Sequence, residues 1–299
     1  MKSDNHKFAN FLQTLLLIGA MTILFLVSGY LIGGSTGLVV ALVASTVSNL
    51  MAWYSSGSMA LRATQAQPVS REQAPELHAI VDELAERAGI PRPEVYVIPS
   101  DMPNAFATGR NPDDGKVAVT RGITQLLNRD ELAGVLAHEL AHVKYYDILT
   151  SSIAGVLAGA VTYLANMARF SMYTSRSSSA RRSRSMNIGA MLAIFLAPIA
   201  AMIIRFAISR SREFGADEGG ARILGDPVPL ANALRKLENV AHQHADPVVS
   251  NPAISHMFIV PPALGSLSNL FRTHPPTEAR VARLMQMARQ MNSVSTVRS

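Results

Sequence analysis

Four long stretches without a single Asp, Glu, Lys or Arg dominate this sequence: residues 11–32, 36–54, 150–168 and 186–204. A helix rises roughly 1.5 Å per residue and a hydrocarbon core is roughly 30 Å thick, so about 20 residues cross it. All four stretches are long enough, which limits the chain to folds whose helices span a bilayer or fill a large apolar core. Composition favours the bilayer, because 48% of the 299 residues are hydrophobic and only 16% are charged. The first stretch follows Lys2 and Lys7 as a signal peptide would, but it is too long and no small-x-small cleavage site precedes the second stretch. It therefore reads as an uncleaved anchor.

Lys2 and Lys7 precede the first stretch and Arg62 and Arg71 follow the second, with no charge between them. The positive-inside rule then puts the N-terminus and residues 55–149 in the cytoplasm. The same rule is broken further on, because two full crossings would put Arg169, Arg176, Arg181, Arg182 and Arg184 outside. Either the first pair fixes the orientation or the later pair is a hairpin that does not fully cross, and both readings stand. Residues 171–185 read as a flexible Ser/Arg linker. With no cysteine, disulfides and thiolate metal sites are excluded. The net charge of +6 comes without interleaved aromatic and basic residues, so anionic lipid rather than nucleic acid is the expected partner of the arginines.

The chemistry is concentrated in His138-Glu139-Leu140-Ala141-His142. Residues four apart share a helix face, so both histidines can point a ring nitrogen at one tetrahedral zinc. Glu139 stands beside the ion, where a carboxylate can take a proton from water. A helix is expected here, since Asn128 and Glu131 form a capping-box start and Leu132, Val135, Leu136 and Leu140 supply an apolar stripe. Continuous helices from His142 to Thr150 and from Ile204 to Glu213, uninterrupted by Gly or Pro, would hold His142 and Glu213 at similar heights, roughly 12 to 14 Å above the apolar layer. Glu213 is thus the expected third ligand. Asp217, one turn on, is placed to orient a ligand histidine.

His-Glu-x-x-His followed five residues later by Asp147, a hydrophobic hairpin, Arg-Glu-x-x-Ala-Asp at 212–217 and a late His-Pro at 274–275 resembles the HtpX family of bacterial inner-membrane zinc metalloproteases, distantly similar to CAAX prenyl endopeptidases. The resemblance covers essentially the whole chain. It implies one Zn2+ per chain held by His138, His142 and Glu213, with Glu139 as the base and Asp147 and Asp217 in support. It further implies a role in stress response, acting on misfolded or damaged membrane proteins, with the active site facing the cytoplasm of a multi-pass inner-membrane protein. Asn104-Ala105-Phe106-Ala107 resembles the edge strand on which such proteases hold substrate backbone, with Asn104, Ala105 and Phe106 as the substrate-binding residues. They also read as one arm of a hairpin with residues 116–120, and both readings can hold. His274 resembles the family's late histidine and is placed either to donate to an oxyanion or to sit idle in a proline-ended loop.

Among the remaining histidines, His242 and His244 read as a solvated turn, and spacing gives His78 and His256 no partner. Residues 252–264 are apolar but too short to span. Ser70 and Gln73 start a helix through Leu77, Ile80, Val81 and Leu84 that Gly89 ends, and residues 95–98, 104–108 and 116–120 read as strands. Helices are expected again near 228–241 and 276–291. The expected fold is an α-helical membrane protein carrying an α+β zincin-like metalloprotease domain, mainly α with a small β-sheet. Its parts are residues 1–55 (two anchors), 56–149 (first part of the domain), 150–208 (hydrophobic hairpin) and 209–299 (second part). The rival readings are a non-catalytic, metal-stabilised membrane adaptor or chaperone, which would need no base such as Glu139, and a metal transporter, which would need polar groups inside the apolar stretches.

Overall fold

The computed structural model describes residues 2–150, 153, 210–243 and 275–296. Most of the third stretch, all of the fourth, the 171–185 linker, the 252–264 segment, and His244, His256 and His274 lie outside the described residues, as does the side chain of His242.

Helix α1 (Lys2–Ala63) doubles back at Gly33 and Gly34, whose φ of 58° is one that only glycine adopts without strain. The two arms pack closely: a Cβ on Gly29 would stand 2.4 Å from the Ala41 Cβ and 2.5 Å from the Gly37 carbonyl oxygen. Asn49 donates to Thr22 Oγ1 across the arms at 3.0 Å. The apolar stretches, which on sequence read as holding no polar or charged residues of the kind a transporter needs, therefore do hold polar groups. The bond satisfies them within the hairpin, as interhelical glue rather than a conduit. Leu16, Ile23, Val27, Val43, Leu50 and Met51 point outward and are exposed. Among the described residues one helix, Gly33–Ser55, is long and apolar enough to cross a membrane, with a mean hydropathy of 1.5; Thr14–Val27 is apolar but shorter. Because the hairpin returns, both its ends face the folded domain. Thr14 meets Thr150, at the start of the third stretch, at 2.9 Å.

The domain is built on a four-stranded sheet in the order β1 (Gln67–Pro68), β2 (Glu94–Ile98), β4 (Lys116–Thr120), β3 (Ala105–Thr108). β2 and β4 are parallel, and the β1–β2 and β3–β4 pairs are antiparallel. The strands alternate between two buried faces. Val95, Val117, Val119 and Ala105 pack on helices α2 (Pro75–Ala88) and α4 (Arg129–Lys144), while Phe106, Ala118 and Ile98 pack on Ala60 and Leu61 at the end of α1. The membrane-capable hairpin is thus seated directly on the sheet.

Local signals place the helices. The expected box at Ser70 and Gln73 forms, but it closes a turn ahead of the helix, which starts at Pro75. Gly89, at φ 67°, ends α2. Thr120 caps the short α3 (Arg121–Leu126), and Asn128 with Glu131 makes the full reciprocal box that starts α4. His78, given no partner by spacing, bonds the Val69 carbonyl at 2.9 Å. Helices α5 (Arg210–Leu224) and α6 (Val228–Gln243) then pack on α4, and α7 (Thr277–Thr296) packs on α6 and α5.

One expectation is corrected here. The chain from His142 to Thr150 is not one helix: α4 ends at Lys144, Tyr146 adopts φ 63°, and helical backbone resumes at residues 147–150. In a straight helix, residues five apart point to different faces. The break swings Asp147 back toward His142.

Candidate metal centre

Two glycines let the surrounding helices reach α4. A Cβ on Gly220 of α5 would stand 2.7 Å from the His138 backbone nitrogen, and one on Gly134 of α4 would stand 2.7 Å from the Leu230 nitrogen of α6. The α4–α5 crossing therefore sits at the metal-motif histidine itself, and Glu213 and Asp217, one turn apart, face the two rings.

His138 Nε2 and His142 Nε2 are 3.2 Å apart, and each lies 3.8 Å from an oxygen of Glu213. All three ligand atoms fall within 4.8 Å of one another. Zinc bonds of roughly 2.0–2.1 Å at tetrahedral angles separate ligand atoms by roughly 3.3 Å, so this donor set fits such an ion. The far side of each ring confirms the fit. His138 Nδ1 meets Asp217 at 3.0 Å and His142 Nδ1 meets Asp147 at 3.0 Å. A carboxylate only accepts, so each Nδ1 carries a proton, and in the neutral rings each Nε2 turns a lone pair toward the other. Two lone pairs at that distance repel unless a proton or a metal cation lies between them.

Electrostatics agree. Burial alone would lower the His142 pKa, but the Asp147 hydrogen bond and the charges of Glu213, Asp147 and Glu139 override it and push it up to about 9. The pocket thus draws positive charge. Burial pushes the Glu139 carboxyl up, while the histidines and the Ala107 amide, which donates to Oε2 at 2.8 Å, pull the other way. Asp217 is held down to about 2 despite burial, because the Arg280 guanidinium grips it with two bonds of 2.7 and 2.9 Å. Arg280, only 1% exposed, also lies 3.5 Å from the His138 ring. Arg212 is buried beside Asp147 and Glu213, and among the described residues its Nη1 has no hydrogen-bond partner.

The structure therefore brings together His138, Glu139, His142, Glu213, Asp147 and Asp217, and His274 lies outside the described residues. Of the three expected substrate-strand residues, only Ala105 presents its main chain to the open side of β3. Asn104 accepts from the Thr120 amide and Phe106 stands opposite Ala118, so the main chains of both face β4. Ala107 shares the outward parity of Ala105. Sequence reading placed Ala107 on the strand without giving it a role, and missed Arg280. Arg280 left a trace, as a charge on the face of α7 that otherwise holds Val281, Leu284 and Ala288.

Two backed imidazoles and a carboxylate, with a buried glutamate between them and an open sheet edge, define a metal-dependent peptidase site. The model for Peptidase family M48 matches residues 71–288, and the chain belongs to that family. It is 50% identical over 287 residues to a protease HtpX homolog of Persephonella marina, covering 95% of this chain and 99% of that protein. A protease HtpX homolog of Pyrococcus abyssi is 49% identical over 95% of this chain and 98% of its own length. The crystal structure of S. mikatae Ste24p shares the fold, with a TM-score of 0.52 at 21% identity, covering 94% of this chain and 66% of that one. The resemblance read from the motifs is thus borne out, and the protein is a membrane-associated metalloendopeptidase. Nothing in the site favours the adaptor reading.

Proposed function

We propose that the protein is a zinc-dependent endopeptidase of the bacterial inner membrane that cleaves misfolded or damaged membrane proteins in quality control and stress response. Residues 56–149 and 209–299 form its catalytic domain on the cytoplasmic side. Residues 1–55 and 150–208 hold that domain to the bilayer. The observation that carries the reading is the convergence of His138, His142 and Glu213 beside Glu139 at the open edge of β3.

In this reading His138, His142 and Glu213 hold the ion, and Asp217 and Asp147 fix the ring tautomers. When bound, zinc supplies Lewis acidity toward water and the scissile carbonyl. Glu139 takes a proton from the attacking water and delivers it to the leaving nitrogen. The edge of β3 holds the substrate in extended form by main-chain bonds, which suits clients defined by misfolding rather than by sequence. Seating of the sheet on the end of α1 supports a cleft near the headgroups, where unfolded segments of membrane proteins emerge.

The test is cleavage of casein by detergent-purified protein. Activity that a chelator abolishes and zinc restores supports the reading, whereas zinc bound stoichiometrically without cleavage supports the adaptor.

A further inference from the structure

Strand β3 has one partner, β4, and lies at the edge of the sheet. Its pairing register, Phe106 opposite Ala118 and Thr108 opposite Lys116, with Asn104 bonded to Thr120, turns the even residues to β4 and the odd ones outward. An incoming peptide would therefore meet the N–H and C=O of Ala105 and Ala107. One of these groups is already engaged, because the Ala107 N–H donates to Glu139 Oε2 at 2.8 Å. Among the described residues the other oxygen, Oε1, accepts no hydrogen bond. Glu139 is buried, and α4 fixes its backbone, so this contact decides how the carboxylate is turned.

We propose that the Ala107 amide is a positioning group. It anchors Oε2 of Glu139, leaves Oε1 to exchange the proton, and ends the substrate ledge, so that a bound peptide pairs with Ala105 and the Ala107 carbonyl but not the Ala107 N–H. This rests on the assignment of Glu139 as the base. The edge strand then does two jobs with alternate groups of one face. The scissile bond is held at the place where the strand stops serving the substrate and starts serving the base. A purely structural contact would also satisfy the amide, but it would not separate turnover from binding.

Two measurements test this. The first is hydrogen exchange of the 104–109 segment in the full-length, metal-loaded protein in detergent. Glu139→Gln keeps an acceptor and should exchange as slowly as wild type; Glu139→Ala removes it and should speed one amide by about tenfold or more. Equal exchange in all three proteins overturns the proposal, and this readout needs no proteolysis. The second is an amide-to-ester replacement at Ala107, made by incorporating the α-hydroxy analogue, beside Ala107→Gly, which keeps the N–H. The ester should lower kcat about 10- to 100-fold with KM and bound zinc nearly unchanged, because a hydrogen bond to a charged group is at stake. Ala107→Gly should retain bound zinc and the slowly exchanging amide. A raised KM at unchanged kcat would assign the amide to substrate and overturn the proposal, as would no change in either. If the ester protein fails to fold, the exchange pattern decides alone. Absent cleavage by wild type with the exchange pattern intact would sink the functional reading, not the contact.

Discussion

The α4–α5 crossing can be tested with one methyl group. In Gly220→Ala the new Cβ would stand 2.7 Å from the His138 nitrogen, 2.8 Å from its Cα and 2.9 Å from the Ala137 carbonyl carbon. Ordinary contact begins near 3.4 Å, so the helices must part by about 0.7 Å, the difference between 3.4 and 2.7. No side chain can rotate away, because the obstacle is backbone. Overpacking of this kind costs about 1–3 kcal/mol, set against about 1 kcal/mol gained in helix propensity. The larger effect falls on the metal. Ligand positions tolerate only about 0.2 Å, whereas α5 carries both Glu213 and Asp217, so affinity should drop by about 10- to 100-fold. Gly215→Ala is the internal control, since it lies on the same helix with nothing within 4 Å of its Cβ. It should gain up to about 1 kcal/mol and keep the metal. Thermal unfolding in detergent, with and without zinc, and chelator competition for bound zinc measure both quantities. If Gly220→Ala matches Gly215→Ala in midpoint and in zinc retention, the crossing does not set the site.

Glu139→Gln should retain zinc but lose peptide cleavage by about 10²- to 10⁴-fold, the range of general base catalysis, as read by metal analysis and casein turnover on one sample. Arg280→Met strands Asp217 in the interior and should cost about 3–5 kcal/mol, whereas Arg280→Met combined with Asp217→Asn should recover much of that in thermal unfolding. Chelation should lower the midpoint of wild type, and zinc added back should raise it with concentration, because the site exists only in the folded chain. Asp114 sits below its ordinary pKa: burial pushes it up, but Arg110 and Lys116 outweigh that. Its stabilising contribution is therefore complete above a pH of about 4 and lost as the pH falls below that. Asp114→Asn should accordingly be less stable than wild type at pH 7, with the gap closing toward pH 3.

What the sequence disclosed follows the range of the forces involved. The Asn128–Glu131 box, the Gly89 stop and the four-residue spacings of His138/His142 and Glu213/Asp217 are local devices, and all stand as read. Glu213 does lie beside the histidines, but the inference ran through two continuous helices, of which Tyr146 breaks the first and the second lies mostly outside the described residues. The true cause is the glycine contact at Gly220, a long-range fit that no periodicity displays. Register explains the miss at β3. Which residues of an edge strand face outward depends on parity against β4, so Asn104 and Phe106 were named beside Ala105, although Ala105 and Ala107 carry the outward groups. Arg280 needed a partner 63 positions away to make sense of its burial.

Charge bookkeeping around the site joins these pieces. Glu139, Asp147, Glu213 and Asp217 bring four negative charges, and Arg212 and Arg280 bring two positive ones, leaving two negative charges among buried groups. With both imidazoles neutral, as coordination of a metal through Nε2 requires, no protein group offsets that excess. Burying uncompensated charge is costly, and a divalent cation between the Nε2 atoms removes the excess. The same arithmetic explains why Arg280 must be buried. Without it the excess would be three, and one divalent ion would no longer neutralise the cluster. The C-terminal helix is in this sense part of the metal centre although it contributes no ligand.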